Sequence, residues 1–150
     1  MNVSFKYNSE EGFITDTPGK TRIVLKNSLS NHQENYAPTE LLLLSMGGCT
    51  SDDVLSMLKK MRVNFTEFRC EVNAERHEEH PRTVKNADIH YIFSGNIDAE
   101  KVRKAIGLSL NKYCSVSILA KRGGANVTYS LTINGETLES RANPGLLAEV

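Results

Sequence analysis

Apolar and polar residues alternate at the start of the chain, with Val3, Phe5 and Tyr7 on one side and Asn2, Ser4 and Lys6 on the other. A period of two predicts a β-strand. Residues 12–16 and 21–26 read as two more strands, and Pro18-Gly19 between them is a turn signal. The N-terminus is therefore expected to be an antiparallel meander. Residues 27–37 are polar, rich in Asn and Ser, and read as a loop.

The period then lengthens. Residues 38–62 carry the longest apolar feature of the chain, with Pro38 at a position where a helix tolerates its missing N–H. Leu41, Leu42, Leu43, Leu44 and Met46 make the first half apolar on every side, which predicts burial all round. Val54, Leu55, Met57, Leu58 and Met61 continue as a narrower stripe, with Asp52, Asp53, Lys59, Lys60 and Arg62 facing outward. A helix of roughly 24 residues is about 36 Å long, more than a thin monomer can cover.

Two strands follow. Residues 67–76 place Phe68, Cys70, Val72 and Ala74 on one face, and residues 87–94 do the same with Ile89, Tyr91 and Phe93. Their connection is charged and contains Pro81. Asp98 is a predicted N-cap for a second helix with the stripe Val102, Ala105, Ile106, Leu110 and Tyr113. That pattern runs on, with a break at Cys114-Ser115, to Gly123-Gly124, which can end a helix. A last strand, residues 126–133, turns Val127, Tyr129, Leu131 and Ile133 inward. The order predicts an α+β domain over residues 1–134, followed by a loosely ordered tail, 135–150.

Charge and composition narrow the function classes. The 150 residues suit one domain, and the 18 Lys+Arg balance the 18 Asp+Glu, which argues against a nucleic-acid partner. No run of about 18 apolar residues predicts a membrane span. The opening MNVSFKYNSEEG lacks the apolar core of a secretory signal, so a cytoplasmic protein is expected. Thiols are kept reduced there, so any disulfide among the three cysteines would be transient and part of the chemistry. No cofactor and no metal are expected.

Cys49 directly follows Gly47-Gly48 within the first helix. Each glycine costs about 1 kcal/mol relative to alanine in a helix interior, so the pair asks for a reason. One reading is a tight helix crossing with Cys49 as a small core residue; the other is close approach of a backbone or a substrate beside a working thiol. Cys114 ends the second stripe, and Ser115 or Ser117 could cap a new helix there. Its thiol is either core packing or one activated at a helix N-terminus. Cys70, between Phe68 and Val72 on an apolar strand face, reads as structural.

Asp52 and Asp53 stand three and four residues beyond Cys49, on the helix face it shares, and carboxylates there oppose a thiolate. A nucleophilic Cys49 would then need a cation. Arg22 is the only arginine before it, on a predicted strand of the meander. Glu40 precedes Cys49 by nine residues, about 13.5 Å along one helix and on nearly the opposite face. It could serve Cys49 only at a site assembled from two chains. His77 and His80 have a spacing that could suit a metal on a helix, but they fall in a polar strand connection and read as solvated. His90 shares a polar strand face with Asp88, with no role implied, and Gly123-Gly124 precedes a strand rather than opening a phosphate-binding helix.

Ala37-Pro38-Thr39-Glu40-Leu41-Leu42, then Gly47-Gly48-Cys49, then Tyr113-Cys114-Ser115-Val116 together resemble the OsmC/Ohr family of osmotically inducible and organic-hydroperoxide-resistance proteins. The resemblance spans roughly residues 1–134. It implies antiparallel sheets packed on two helices, in an intertwined homodimer whose cysteine-bearing helices are central. It also implies a thiol peroxidase: Cys49 matches the peroxidatic cysteine, Cys114 the resolving one, and a Cys49–Cys114 disulfide is reduced by an external dithiol. An arginine and a glutamate polarise the family site, matched here by Arg22 and Glu40. The family's peroxidases place the glutamate directly after the proline, where this chain has Thr39, and the Gly-Gly-Cys segment is closer to the OsmC-like branch. The substrate class implied is organic hydroperoxide or hydrogen peroxide. The alternatives are a redox sensor and a dimeric module that binds an apolar ligand with its cysteines as packing.

Overall fold

The computed structural model describes residues 1–29, 32 and 34–145. By their contacts they divide into two compact units, Met1–Leu42 and the residues from Leu43 onward. In the first, strands β1 (Phe5–Asn8), β2 (Gly12–Thr15) and β3 (Val24–Leu25) form the expected antiparallel meander in the order β1-β2-β3. Phe13 packs edge-on against Phe5 and Tyr7, each ring 5.6 Å away, while Phe5 and Tyr7 remain largely exposed. Arg22 lies just before β3 rather than within a strand.

Helix α1 runs unbroken from Pro38 to Lys60. At its start the Glu40 carboxylate reaches back to accept from the Ala37 N–H at 2.7 Å, half of a capping box. At its end Arg62 takes φ 56°, Val63 N–H donates to Leu58 C=O at 3.0 Å, and Arg62 N–H donates to Lys59 C=O at 3.1 Å. That is a Schellman stop with arginine in the position glycine usually fills. The 23-residue helix has the length and apolarity of a membrane span. Asp52 and Asp53 near its middle, and the burial of Met46, Val54 and Leu58 in the core, make it instead the central helix of a folded domain. The all-round burial expected of its first half does not occur within one chain: Met46 is fully buried, but Leu42 and Leu44 are 41% and 52% exposed.

The second unit's sheet has the order β4-β5-β6-β7, built from Glu67–Arg76, Val84–Ser94, Asn126–Ile133 and Glu136–Ala142. Pairing is antiparallel for β4–β5 and β6–β7, but β5 and β6 run parallel. An all-antiparallel sheet is therefore corrected to a mixed one. The connection between β5 and β6 contains α2 (Ala99–Leu108), a π-helical turn (Ser109–Tyr113) and α3 (Ser115–Arg122). Such a helical crossover returns the chain over the sheet so that the next strand enters in the same direction. Asp98 caps α2 as predicted, accepting from Glu100 N–H at 3.0 Å and Lys101 N–H at 3.4 Å.

β7 falls in the tail expected to be loosely ordered. Asn134 and Gly135, at φ 51° and 81°, form a two-residue turn that pairs Ile133 with Glu136. Asn-Gly between two runs is a strong short hairpin signal, and it marks this turn in the sequence. Residues 146–150 of that tail lie outside the described residues.

The core gathers Met46, Val54 and Leu58 from α1, Val102, Ala105 and Ile106 from α2, and Leu110 against the inward residues of β5 and β6. Ala87, Ile89, Tyr91 and Phe93 alternate inward on β5, and Val127, Tyr129, Leu131 and Ile133 do so on β6. Ala74, expected inward on β4, is exposed. On the sheet's other face Asp88 accepts from Thr128 and Ser130 at 2.8 and 2.7 Å, and His90 meets Thr132 at 2.8 Å, so His90 belongs to a structural polar layer.

The two glycines before Cys49 do different work. A Cβ at Gly47 would stand 2.9 Å from Val72 Cγ2 and 3.5 Å from Cys70 Sγ, whereas a Cβ at Gly48 would meet nothing within 4 Å. Gly47 is where α1 presses onto β4. Gly47→Ala is expected to destabilise the chain by about 1–3 kcal/mol through overpacking. Gly48→Ala should be neutral or stabilising by up to about 1 kcal/mol. Urea unfolding of both variants checks the contrast.

Candidate active site

Cys49 and Cys114 meet. Their Sγ atoms and a carboxylate oxygen of Asp53 all lie within 4.8 Å of one another. Cys49 and Asp53 are half-buried and Cys114 is fully buried. Three elements bring them together. On α1, Cys49 and Asp53 are one turn apart and share a face. Cys114 comes from the junction between the π turn and α3.

The π turn sets that junction. Cys114 N–H donates to Ser109 C=O at 2.8 Å, five residues back, before φ −68° and ψ 100° break the helix at Cys114. Cys114 itself, rather than Ser115 or Ser117, caps α3: its Sγ accepts from Ser117 N–H at 3.4 Å. Burial pushes the Cys114 thiol up, and the bond to the neighbouring Cys49 thiol adds to this. The contacts from Ser117 act in the opposite direction but do not prevail. The helix N-terminus therefore fails to lower this thiol's pKa overall, because desolvation of the charged form outweighs it.

Beside the thiols runs a buried line of hydroxyls. Tyr91 OH lies 2.6 Å from Thr50 Oγ1, Thr50 Oγ1 lies 2.8 Å from Ser109 Oγ, and Ser109 Oγ donates to Asp53 Oδ2 at 2.8 Å. Thr50, Tyr91 and Ser109 are each 0% exposed. A carboxylate only accepts, so the single Ser109 proton is committed to Asp53. Ser109 must then accept from Thr50, and Thr50 from Tyr91. Burial raises the Tyr91 phenol far above its ordinary range, which keeps it a donor. All three protons thus point toward Asp53 and hold its carboxylate in place. Asp52, expected to face Cys49 equally, is exposed.

The other predicted residues have these positions. Arg22 is ion-paired with Glu11 and exposed, and Glu40 caps α1. Cys70 is half-buried beside Gly47, where burial raises its thiol. His77 and His80 sit in the exposed β4–β5 connection.

Residues missed from the sequence are Thr50, Ser109, Tyr91 and Lys121. Lys121 donates to Leu110 C=O at 2.8 Å and to Asn111 Oδ1 at 3.3 Å; burial lowers its pKa, and the nearby Cys114 acts in the opposite direction without prevailing. Thr50 had a visible signal: it sits in step with Met46, Val54 and Leu58, four residues apart on one buried stripe. Ser109 likewise continues the stripe of Val102, Ala105 and Ile106. A hydroxyl on a core-facing stripe needs a partner inside. An open cleft of about 460 Å³, lined by Met57, Met61, Leu108 and Tyr113 with Ser56 and Lys60, reaches Asp53.

An α+β domain in which two helices bring a pair of cysteines together over a mixed sheet defines a class, and comparison with known proteins identifies it. The profile of OsmC-like proteins matches residues 31–130, and the chain belongs to the OsmC-like family. Protein YhfA of Escherichia coli strain K12 is 34% identical over 98 residues, which cover 65% of this chain and 72% of YhfA. A hypothetical protein from Aquifex aeolicus VF5 is 28% identical with a TM-score of 0.77, covering 89% of this chain and 95% of that one. The organic hydroperoxide resistance protein OsmC of Legionella pneumophila is 12% identical with a TM-score of 0.64, covering 88% and 97%, a likeness of fold.

Thr50→Val removes the middle hydroxyl while keeping the shape. It leaves the buried Tyr91 phenol without an acceptor and Ser109 without a donor. A loss of about 1–3 kcal/mol is expected, with Thr50→Ser restoring most of it. Chemical denaturation of the two variants measures this.

Proposed function

We propose that this protein is a thiol-dependent peroxidase that reduces organic hydroperoxides or hydrogen peroxide. The observation that carries the reading is the contact between the Cys49 and Cys114 thiols, one partly open and one buried. Membership of the OsmC-like family, and a fold shared with proteins named for organic hydroperoxide resistance, support redox or peroxide-related chemistry.

In this reading the Cys49 thiolate attacks one peroxide oxygen. The O–O bond breaks, the alcohol or water leaves with a proton, and Cys49 becomes a sulfenic acid. The Cys114 thiol then attacks the Cys49 sulfur, an S–S bond forms, and the former sulfenic oxygen departs as water. An external dithiol exchanges with this disulfide and is itself oxidised. Asp53 stands beside both sulfurs and can take the Cys114 proton during condensation. Such chemistry belongs in a reducing compartment, the cytoplasm.

The working form is proposed to be a homodimer, because Phe5, Tyr7, Leu42 and Leu44 stay exposed in one chain. Arg22 and Glu40 are proposed as the polar groups that assist Cys49. Exposed ion pairs such as Arg22–Glu11 contribute little and are readily exchanged.

Peroxide consumption with a dithiol reductant should require Cys49, vanishing in Cys49→Ser. Peptide mapping after peroxide should find Cys49 bridged to Cys114 and Cys70 free; Cys70 in the bridge would reject the assignment. Light scattering should give about twice the 16.7 kDa chain mass. In that dimer Arg22→Ala should slow oxidation of Cys49 at least about tenfold, about 1.4 kcal/mol at the transition state. Equal oxidation rates in the two proteins would remove Arg22 from the mechanism.

A further inference from the structure

We propose that the reduced chain binds a thiophilic divalent cation, Zn²⁺ above all, through Cys49 Sγ, Cys114 Sγ and the Asp53 carboxylate. The three donor atoms already lie within 4.8 Å of one another. A tetrahedral zinc with bonds of about 2.3 Å to sulfur and 2.0–2.2 Å to oxygen requires donors somewhat closer together, so a small inward adjustment of the thiols would complete the set. Two thiolates and one carboxylate match the softness and charge that zinc selects, and three protein ligands leave a fourth position open.

Two further observations point to a cation rather than to packing. The first is the hydroxyl line from Tyr91 through Thr50 to Ser109, in which each hydroxyl donates to the next and Ser109 donates to Asp53. Metal-binding carboxylates are oriented by such hydrogen bonds from a second layer. Here that layer is fully buried, and it reaches Asp53 through the single bond from Ser109 to Oδ2. The second is that no lysine or arginine pairs with Asp53 among the described residues, although it stands beside two ionisable thiols. The cleft that reaches Asp53 supplies an entry path.

Binding balances as two thiols plus Zn²⁺ giving the zinc dithiolate and two protons. The same two sulfurs cannot be zinc-bound and disulfide-linked at once. Zinc therefore holds the pair reduced and shields it from peroxide, and oxidation to the disulfide releases the ion. This inference shares the cysteines of the peroxidase reading but does not require turnover.

The test uses the full reduced chain under anaerobic conditions, titrated with Zn²⁺ against a chromophoric chelator and separately with Co²⁺. One zinc per chain is expected, with Kd below about 1 µM. Co²⁺ should give sulfur-to-metal charge-transfer absorption together with the intense visible bands of a tetrahedral site. Cys114→Ser and Asp53→Asn should each weaken zinc at least about tenfold, while Cys70→Ser leaves it unchanged. Asp53→Asn keeps an acceptor for Ser109, and circular dichroism confirms its fold. Zinc binding weaker than about 10 µM, a cobalt complex without thiolate absorption, or unaltered affinity in Asp53→Asn would each overturn the site. Disulfide mapping of the metal-free chain separates the two readings. Disulfide formation without zinc binding sinks only this proposal; zinc binding without peroxide consumption sinks only the peroxidase.

Discussion

Thr50 is the residue on which the arrangement turns. Its hydroxyl, fully buried, joins Tyr91 on β5 to Ser109 in the π turn, and so ties α1 to the sheet and to the second helical segment at one point. Dispersion and burial would permit α1 to rotate or slide by a fraction of a turn with modest loss, since apolar contact is not directional. A hydrogen-bonded hydroxyl in a dry core does not permit it, because each misplaced partner is left unsatisfied. The rotation fixed at Thr50 is the rotation that turns its neighbour Cys49 toward Cys114 and carries Asp53, one turn on, to Ser109. Gly47, one turn before Thr50 on the same side of the helix, contributes by letting it settle against Val72 and Cys70.

The polarity of that hydroxyl line also settles a competition of charges. Sequence spacing sets two aspartates against a thiolate at Cys49, and the structure keeps one of them, Asp53, at the sulfurs. Burial works in the same direction on Cys114. Lys121 lies close enough for Cys114 to act on it, but burial prevails and lowers the lysine's pKa. The site as it stands in one chain therefore favours a protonated thiol at Cys114, and an activated state has to draw positive charge from elsewhere.

Much of the fold was legible because its elements obey single periods. β6 alternates without fault, α2 announces itself with Asp98, and the first helix shows the stripe that the structure buries. Interactions that join distant residues were less legible. The parallel pairing of β5 with β6 follows from a crossover that no local pattern states. β7 hid behind a charged sequence, ETLESRA, although Asn134-Gly135 marked the turn before it. The cysteine pair was suggested by resemblance rather than by spacing, since 65 residues separate Cys49 from Cys114 and each, alone, reads as core. Asp53 is legible from its helical spacing to Cys49, whereas Thr50 and Ser109 are not, because a lone hydroxyl inside an apolar stripe looks like a tolerated blemish until its partner is seen.

The π turn at Ser109–Tyr113 is an α-helix holding one residue too many. An α-helical residue advances the chain by 1.5 Å and about 100° of rotation. Without that extra residue the helix would close into ordinary turns, and Cys114 would arrive about 100° out of phase with the sulfur it now touches. Deletions elsewhere in the crossover would cost packing, but a deletion here would preserve helicity and abolish the encounter. The wide turn works as a phase shifter, and the chemistry of the pair is set by counting residues as much as by choosing them.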